Sequence, residues 1–495
     1  MVQMIQISRR GPQPPSSSLP TGELIQRLNL AYDWSGPDDP DNPRNFSLFT
    51  RVYCTVAVSL LAFASAFAGA VYAPAQEQVM ELFQCSQEVA VLPLSLYNLG
   101  LAFGPLIGAP LSEKYGRKAV FVVSTPIFIL FMVGAGFTNR MTDLVVCRFF
   151  AGMFASPNIN NASATLLDYT TDRYRGITLG IYYSLPSFAA TLAPLVGGFI
   201  VRTKDWRWTQ WAAIIMATAT YLPVLLTRET YKKVIIQRRA IRLGISDTSS
   251  QRTSFARAFR HFFTVLIQRP IHMLATEPIV TFVSLYNGLI FGLLYCFVIA
   301  VPWLAREYYH FDKIGESLSY LGVTLGTLTA CCPFVLADIF FYQRRLGSWQ
   351  QTHEPDEKLP PEYRLAPAMA GSVLLPISLL IAGWTAEYRI HWFVPIFFQG
   401  MTMLSSLLVY AGATMFMLDA YGPLYGASAA GAMMLTRYTL STVFPLFTLQ
   451  MFRALGAGWA TSILTLMSLL MAPIPWCFWT FGERIRARSK YETSA

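Results

Sequence analysis

Two arginines stand inside stretches that are otherwise uncharged, apolar and long enough to cross a lipid bilayer. Arg148 lies in the stretch 144–167, and Arg437 lies in the stretch 420–452. A charged side chain at bilayer depth is costly, so its presence there is by default a hypothesis of function. The alternative is structural, with each guanidinium held by backbone carbonyls or tyrosine hydroxyls. The residues alone leave both interpretations open for both arginines.

The carboxylates stand near the ends of the apolar stretches and not in their middles. A proton-coupled process needs a group that changes charge during its cycle, and arginine, with a pKa above about 12, cannot do so. We therefore expect any proton coupling to be weak or to use one of four residues. These candidate proton-coupling residues are Glu77, Glu113, His391 and Asp419.

The composition indicates which elements must position these residues. Of the 495 residues, 54% are hydrophobic and 13% are charged, against roughly 25% charged in a soluble chain. The excess of apolar sequence needs lipid. Ten further stretches without charge join the two that contain arginine, and each is long enough for a membrane-spanning helix of about 20 residues. The ten are 52–76, 89–112, 119–139, 177–201, 208–227, 278–305, 317–337, 365–386, 392–418 and 454–482.

The pattern predicts an all-α integral membrane protein with twelve transmembrane helices in two six-helix bundles. It excludes a soluble multidomain enzyme, a disordered chain and a β-barrel, whose strands would alternate over about ten residues. The longest hydrophilic interruption separates six spans from six. The predicted domains are a tail (1–47), a first bundle (48–227), a linker (228–276), a second bundle (277–482) and a final tail (483–495). Basic and apolar residues mix in the linker at 231–243, which predicts a helix lying on an anionic leaflet or a solvated linker helix.

The net charge of +10 follows membrane topology. With the N-terminus in the cytosol, 28 of the 38 lysines and arginines fall on the cytosolic side, 8 fall on the other side, and two are the intramembrane arginines. The positive-inside rule therefore predicts that both termini are cytosolic. Nothing else supports a nucleic-acid partner. We expect no disulfide between loops, because six of the seven cysteines stand in apolar stretches. We also expect no metal site and no cofactor.

The loop after the second span has a spacing that resembles the signature loop of the major facilitator superfamily. The stretch 108–118 reads GAPLSEKYGRK, with glutamate where the family has aspartate and with Ala109 in place of the opening glycine. The resemblance implies a conformational-switch loop whose charges pair with the other bundle and release as the two halves rock. Its residues are Glu113, Lys114, Gly116, Arg117 and Lys118.

The fifth span resembles the antiporter signature of the same superfamily. Small residues on this span would let it lie close to its neighbour in the other bundle and still slide. Ala189 and Ala193 replace two glycines of the signature. The matching residues are Gly180, Pro194, Gly197 and Gly198.

Motifs from about Trp34 to Arg486 resemble fungal members of the twelve-span drug:proton antiporter family. They include WSGPDDPDNPRNF (34–46), PEYRL (361–365) and FPLF (444–447). The resemblance implies the major facilitator fold, alternating access and a monomer, with protons, the lipid bilayer and a small-molecule substrate as partners. The expected location is the plasma membrane, and the vacuolar membrane is the alternative.

A central cavity is expected between spans one, two, four and five and their counterparts seven, eight, ten and eleven. Rings and amides that suit a drug-sized apolar ligand are frequent there. They are Tyr72, Tyr97, Asn98, Tyr182, Phe188, Tyr286, Asn287, Tyr295, Gln399, Tyr410 and Tyr438. The tetrapeptide SLYN occurs at 95–98 and at 284–287. Spans two and seven are not equivalent in the repeat, so we interpret its recurrence as coincidence.

The leading hypothesis is a transporter that exports small hydrophobic molecules, either xenobiotics such as antifungals or a metabolite of the cell. Export of polyamines is the alternative, and a non-transporting membrane receptor is a remote one. A polycation needs buried carboxylates on its path, and this membrane domain offers two arginines instead. We therefore expect a neutral or weakly acidic aromatic substrate, with Arg148 most important for acidic compounds. No pattern typical of an enzyme is visible.

Overall fold

The computed structural model describes residues 33–243, 264, 268–353 and 359–491, and these residues form helices without any strand. Six long helices make up the first half of the chain. They are α1 (Leu48–Ala70), α2 (Gln87–Tyr115), α3 (Arg117–Phe137), α4 (Met141–Tyr169), α5 (Asp172–Thr203) and α6 (Arg207–Leu225). Two short helices, Gln76–Phe83 and Lys232–Arg242, follow α1 and α6, and 3₁₀ turns form at Pro43–Asn45 and Ala73–Ala75. We call Lys232–Arg242 the linker helix.

Six further spans make up the second half, after a short helix at Arg269–Thr276. They begin with α7 (Pro278–Tyr309). The next span, α8, is broken into Lys313–Leu318, Tyr320–Thr329, Cys331–Ala337, a π-helical turn at Asp338–Gln343, and Arg344–Thr352. A 3₁₀ turn at Pro361–Leu365 then leads into α9 (Ala366–Glu387).

The last three spans join almost without interruption from Phe393 to Met471. Gly422 and Gly456 divide this stretch, because their φ angles of 56° and 76° lie in the left-handed region that residues with a Cβ avoid. The result is α10 (393–421), α11 (423–455) and α12, which runs from 457 and continues as Ile474–Ala487.

Nine stretches of the described chain are long and apolar enough to cross a membrane. The last of them, Tyr425–Ala487, contains the turn at Gly456 and so holds two spans. α4 and α6 add two more. α4 is more polar than the others because it carries Arg148 and several asparagines, and α6 carries a glutamine and several threonines. The prediction of an all-helical protein with twelve spans is confirmed.

The helices pack as two six-helix bundles. Within the first, α2 and α3 pack on α4, and α1 packs on α5 and α6; within the second, α9 packs on the α10–α12 stretch. The bundles meet along two seams. Asn98 of α2 donates to the carbonyl of Ser441 in α11, and Thr191 of α5 contacts Thr327 of α8. We call the end where α1 begins and α12 finishes the terminal end, and the other the opposite end.

The segment before α1 is clamped to the linker helix. Asp39 accepts two hydrogen bonds of 2.7 and 2.8 Å from Arg239, and Asp41 accepts another of 2.7 Å. The ring of Trp34 lies beneath Arg239 and Lys232. The linker helix therefore turns at least part of its basic face toward an acidic tail, which neither interpretation made from the sequence included.

We expect Arg239→Ala to release this clamp. Chymotrypsin should then cleave after Trp34 at least about tenfold faster, which corresponds to about 1.4 kcal/mol of local stability. Arg238→Ala is the matched control, because Arg238 is exposed on the same helix. Equal cleavage rates in both variants would show that the ion pairs do not hold the segment.

The clamp should also depend on pH. Arg239 holds the pKa of Asp39 well below its ordinary value of 3.8. The contribution of an acid with a lowered pKa is complete above its ordinary pKa and is lost as the pH falls further. The clamp should therefore be equally stable at all pH values above about 5 and should open only in strong acid, which cleavage by an acid-active protease would measure.

Candidate functional site

Arg148 is buried where α1 ends. Its guanidinium donates to the carbonyls of Ala68 and Gly69, both at 2.7 Å, and its Nε donates to the carbonyl of Pro93 at 3.2 Å. Carbonyls in the last turn of a helix lack the amides of a following turn, and a cation there also suits the helix dipole. Arg148 thus joins α4 to the ends of α1 and α2, and the structural interpretation fits its contacts.

Arg437 has a different environment at the middle of α11. Its two terminal nitrogens donate to the hydroxyls of Tyr410 and Tyr438, at 2.6 and 2.7 Å. The guanidinium carbon lies 4.3 Å from the ring centre of Phe291. Its Nε is buried and has no hydrogen-bond partner within the described part of the chain. Among the described residues no carboxylate pairs with it.

Rings from both bundles surround Arg437. Tyr410 packs edge-on against Phe291 of α7 and against Tyr183 of α5, with ring centres 5.2 Å apart in each pair. Phe291 also contacts Tyr438 at 6.3 Å. Edge-to-face contacts of this kind favour aromatic neighbours. Tyr183 belongs to the first bundle, so the rings span the interface.

Two buried asparagines from other helices contact α11 close to Arg437. Asn98 bonds to the carbonyl of Ser441, one turn after Arg437, and Asn287 contacts the sulfur of Met433, one turn before it. The side-chain oxygens of both asparagines are buried, and no residue that the structure describes donates to them. Since buried polar groups in proteins are nearly always paired, such a group invites a ligand as its partner. Further unpartnered buried atoms are the hydroxyls of Ser95, Ser284, Tyr286 and Ser406.

The predicted cavity residues fall into two sets. Asn98, Asn287, Tyr410 and Tyr438 converge around Arg437, and Tyr295 neighbours Asn98. Others bind backbone within the first bundle. The hydroxyl of Tyr72 donates to Ala90, that of Tyr97 to Ser65 and that of Tyr182 to Ile159.

Three predicted residues lie in other surroundings. Phe188 packs against Phe63 of α1, with ring centres 6.0 Å apart. Gln399 lines a small cavity within the second bundle near the opposite end, together with Tyr309 and Phe311. The hydroxyl of Tyr286 is buried without a partner.

The loop between α2 and α3 is organised by carboxylates that the sequence motif does not contain. Glu229, which follows α6, accepts from the backbone amides of Arg117 and Lys118 at 2.8 and 3.2 Å. Gly116 has a φ of 100°, and a Cβ there would lie 2.1 Å from the Glu229 carboxylate. The loop therefore requires glycine at this position.

The side chain of Arg117 turns back into the first bundle. It contacts Asp168 of α4 at 3.4 Å and donates to Ser112 at 2.8 Å, and the ring of Tyr231 lies beside it. Glu113 and Lys114 are exposed. We predicted pairing between this loop and the other bundle. In this structure the partners of Arg117 belong instead to its own bundle and to the segment after it.

The second half repeats this ion pair and extends it across the interface. Arg364, just before α9, bonds to Asp419 at the end of α10 at 3.1 Å and to Asp338 of α8 at 2.8 Å. Asp419 also pairs with Arg175 of α5 at 3.4 Å. A cluster of four charges therefore joins the bundles at the terminal end.

Polar contacts also join the bundles at the opposite end. Glu77 pairs with Arg306, and Arg453 of α11 donates to Gln87 of α2 at 2.8 Å. His391 is exposed in the loop before α10. Of the four predicted proton-coupling residues, Glu77 and Asp419 thus bridge the bundles, whereas Glu113 and His391 are exposed.

The small residues of α5 face two different neighbours. A Cβ on Gly180 would lie 2.1 Å from Phe334, and one on Gly198 would lie 2.0 Å from Ser317, both in α8 of the other bundle. Gly197 instead faces the carbonyl of Val71 in its own bundle. Pro194 stands in the same buried stretch of α5. In this conformation Gly180 and Gly198 therefore face the other bundle, whereas Gly197 faces its own.

We expect Gly198→Leu to wedge α5 away from α8. Overpacking of this kind costs about 1–3 kcal/mol of unfolding free energy, and we expect transport to fall with it. Gly347→Leu is the control, since no atom of the described residues lies within 4 Å of a Cβ on Gly347. Unfolding of both purified variants in detergent would measure the difference. Equal stability would argue against close packing at Gly198.

Several residues of these clusters escaped the sequence reasoning. Glu229 and Arg175 belong to no motif, and the sequence analysis assigned no role to either. Arg364 stands in PEYRL, which we noted as part of a resemblance but to which we gave no role. Its position just before the third span of the second half, like that of Arg117 in the first, was the available signal.

Comparison with known proteins agrees with this architecture. The family model described as Major Facilitator Superfamily matches residues 58–445. Polyamine transporter 4 of Saccharomyces cerevisiae is 32% identical over 510 residues, covering 98% of this chain and 77% of that protein. The ascochitine biosynthesis cluster MFS transporter of Didymella fabae is 33% identical over 482 residues, covering 95% and 91%.

A solved structure shares the fold. The xylose transporter XylE from E. coli, in a partially occluded inward open conformation, superposes with a TM-score of 0.60 at 14% identity, covering 87% of this chain and 99% of that one. The match of the family model extends over most of the chain, across both bundles. The chain therefore belongs to the major facilitator superfamily and is a multi-pass membrane transporter, not an enzyme.

Proposed function

We propose that this transporter exports small hydrophobic aromatic molecules, neutral or weakly acidic, by alternating access. One observation carries the proposal: a buried guanidinium, that of Arg437, sits among aromatic rings from both bundles with no carboxylate pairing with it in the described chain. Such surroundings favour a flat apolar ligand and oppose a cation. The likeness to transporters of fungal biosynthetic clusters supports the same substrate class.

The contacts at the two ends suit alternating access. In the conformation described, polar contacts join the bundles at both ends, through Arg175 and Asp419 at one and Glu77 and Arg306 at the other. Opening toward either side requires one of these ion pairs to break. Because both pairs are partly exposed, each costs little to break, which a transport cycle requires.

We propose proton coupling through the carboxylates that bridge the bundles. Glu77 and Asp419 are the two members of the predicted set that meet arginines of the other bundle. Protonation of either would remove an ion pair that holds one end closed. Glu113 and His391 are weaker candidates, because both side chains are exposed and neither has such a partner among the contacts described.

Polyamine export is the second candidate, favoured by the similarity to polyamine transporter 4. A polycation moving through the centre would have to pass Arg437 at close range. The charge of that site opposes it unless the carboxylates at the bundle ends reach further inward in another conformation. A receptor without transport activity is a remote third hypothesis, and it has no specific observation in its favour.

Flux into proteoliposomes tests the proposal. Purified protein would be offered an aromatic panel and spermidine, each with and without a pH gradient. We expect uptake of neutral and weakly acidic aromatic compounds, faster with the gradient. Faster movement of spermidine than of any of them would overturn the substrate class. No flux of any compound would favour a receptor.

The membrane and its orientation belong to the same proposal. We place the protein in the plasma membrane as a monomer with both termini in the cytosol, and the vacuolar membrane is the alternative. Ser250→Cys and Lys490→Cys, in a background without exposed cysteines, should resist an impermeant thiol reagent until intact cells are permeabilised. Strong labelling of intact cells at either position would overturn the orientation.

A further inference from the structure

The two intramembrane arginines differ in how many hydrogen-bond donors of their guanidinium groups remain unused. Arg148 donates to backbone carbonyls through Nε and both terminal nitrogens. Arg437 donates to two tyrosine hydroxyls, and its buried Nε donates to nothing. A guanidinium carries five N–H donors in one plane. Arg437 therefore keeps donors that no group of the described chain uses.

Among the residues that the structure describes, no opposite charge pairs with Arg437. Its neighbours are three rings, those of Phe291, Tyr410 and Tyr438, with ring centres 4.3–5.3 Å from the guanidinium carbon. Ring faces stabilise a cation only modestly, whereas a buried unpaired charge is costly. An anion beside Arg437 would relieve that cost.

The tyrosines make the site suited to an acidic group. Each hydroxyl accepts a hydrogen bond from Arg437, so its own hydrogen remains free to donate. The hydroxyls of Tyr410 and Tyr438 and the Nε of Arg437 are thus three donors, carried by one guanidinium and its two hydrogen-bond partners. Such a set matches a carboxylate or an ionised phenol or enol, whose oxygens accept several hydrogen bonds.

We infer that Arg437, Tyr410 and Tyr438 form an anion-binding subsite that receives the acidic group of an aromatic substrate. This inference rests on the proposed function and sharpens it, because it places the substrate's acidic group on α11 and its ring against Phe291 and Tyr183. The amide nitrogens of Asn98 and Asn287 contact α11 one turn to either side of Arg437, and their buried oxygens, which no described group binds, are acceptors for donor groups elsewhere on the same ligand.

The subsite also lies at the interface between the two bundles. Tyr410 contacts Tyr183 of the first bundle, so a ligand that reorients the Tyr410 hydroxyl acts on a residue that touches both halves.

The test compares aromatic acids with their own amides. Purified full-length protein would be titrated with benzoate, 2-naphthoate and 9-anthroate, each beside its carboxamide, by calorimetry at neutral pH. For at least one pair we expect the acid to bind about tenfold more tightly than the amide. Arg437→Gln should remove that preference and leave the affinity for the amide within about twofold.

Three further variants control for structural damage. Arg437→Lys keeps the charge and should restore part of the preference. Tyr438→Phe keeps the ring and removes one donor, so it should weaken binding of the acid severalfold and spare the amide. Arg238→Gln, on the exposed face of the linker helix, should change neither affinity.

The outcomes separate this inference from the proposed function. Equal loss of acid and amide in Arg437→Gln and in Tyr438→Phe, or no acid preferred by the wild-type protein, would overturn the subsite. Export of neutral aromatic compounds could still stand in that case. Conversely, selective binding of an acid without flux in proteoliposomes would support the subsite and overturn the export function.

Discussion

Replacing Arg364 with leucine is expected to lower the free energy of unfolding by about 3–5 kcal/mol, because the change leaves a buried carboxylate without its partner. Arg364 and Asp338 bond at 2.8 Å, and their side chains are 5% and 4% exposed. The ring of Tyr342 lies 3.3 Å from the guanidinium carbon, so leucine also gives up a stacked contact. The loss should appear in unfolding by increasing SDS in mixed micelles, followed by tryptophan fluorescence.

Two further variants test whether the loss of stability is specific to the pair of Arg364 and Asp338. Arg345→Leu removes an exposed arginine from the same end of the molecule and should change stability by less than about 0.5 kcal/mol. The double variant Arg364→Leu with Asp338→Asn should recover part of the loss, because it also removes the stranded charge. If the double variant were as unstable as the sum of its parts, the two residues would not be coupled.

The importance of Arg364 follows from the internal repeat. In each bundle an arginine at the start of the third span meets an aspartate at the end of the fourth, as Arg117 meets Asp168 and Arg364 meets Asp419. The second pair differs because Asp419 also reaches Arg175 across the interface. The two related ion pairs therefore differ in function. The first connects helices within one bundle, and the second is part of a cluster that connects the two bundles.

The spans were the most predictable feature of this chain. Uncharged stretches of about twenty residues need lipid whatever their neighbours are, so the composition and the spacing of charges sufficed to predict twelve helices. The two intramembrane arginines were visible for the same reason. The contacts of these arginines could not be predicted from the sequence. The carbonyls that Arg148 binds stand 55 to 80 residues away from it, and they reach it only because of how α1, α2 and α4 pack.

The sequence motif also did not indicate which neighbouring helix each residue of a span faces. Gly197 and Gly198 are adjacent in the motif, yet successive residues of an α-helix point about 100° apart. One therefore meets α1 and the other meets α8. The recurrence of SLYN shows the same limit. In both copies the serine and the asparagine carry a buried oxygen without a partner, which shared spacing alone did not indicate.

Replacing Arg148 with leucine should also have a large effect, but of another kind than a change at Arg437. The variant leaves the carbonyls of Ala68 and Gly69 buried without their present donor. Each unpaired buried acceptor costs about 1–3 kcal/mol, so the free energy of unfolding should fall by about 2–6 kcal/mol. Arg140→Leu, at the exposed start of the same helix, is the control and should have little effect.

A transport assay distinguishes this structural role from a role of Arg148 in the export of acidic compounds, which the sequence led us to expect. Any Arg148→Leu protein that folds should export aromatic acids and their amides less well by the same factor, since the arginine's contacts hold helices together and every nitrogen of its guanidinium already donates to the protein. Arg437→Gln should instead lose the acids selectively. Selective loss of acids in the Arg148 variant would mean that its guanidinium leaves the α1 carbonyls during the cycle, and would restore it as a substrate-binding group.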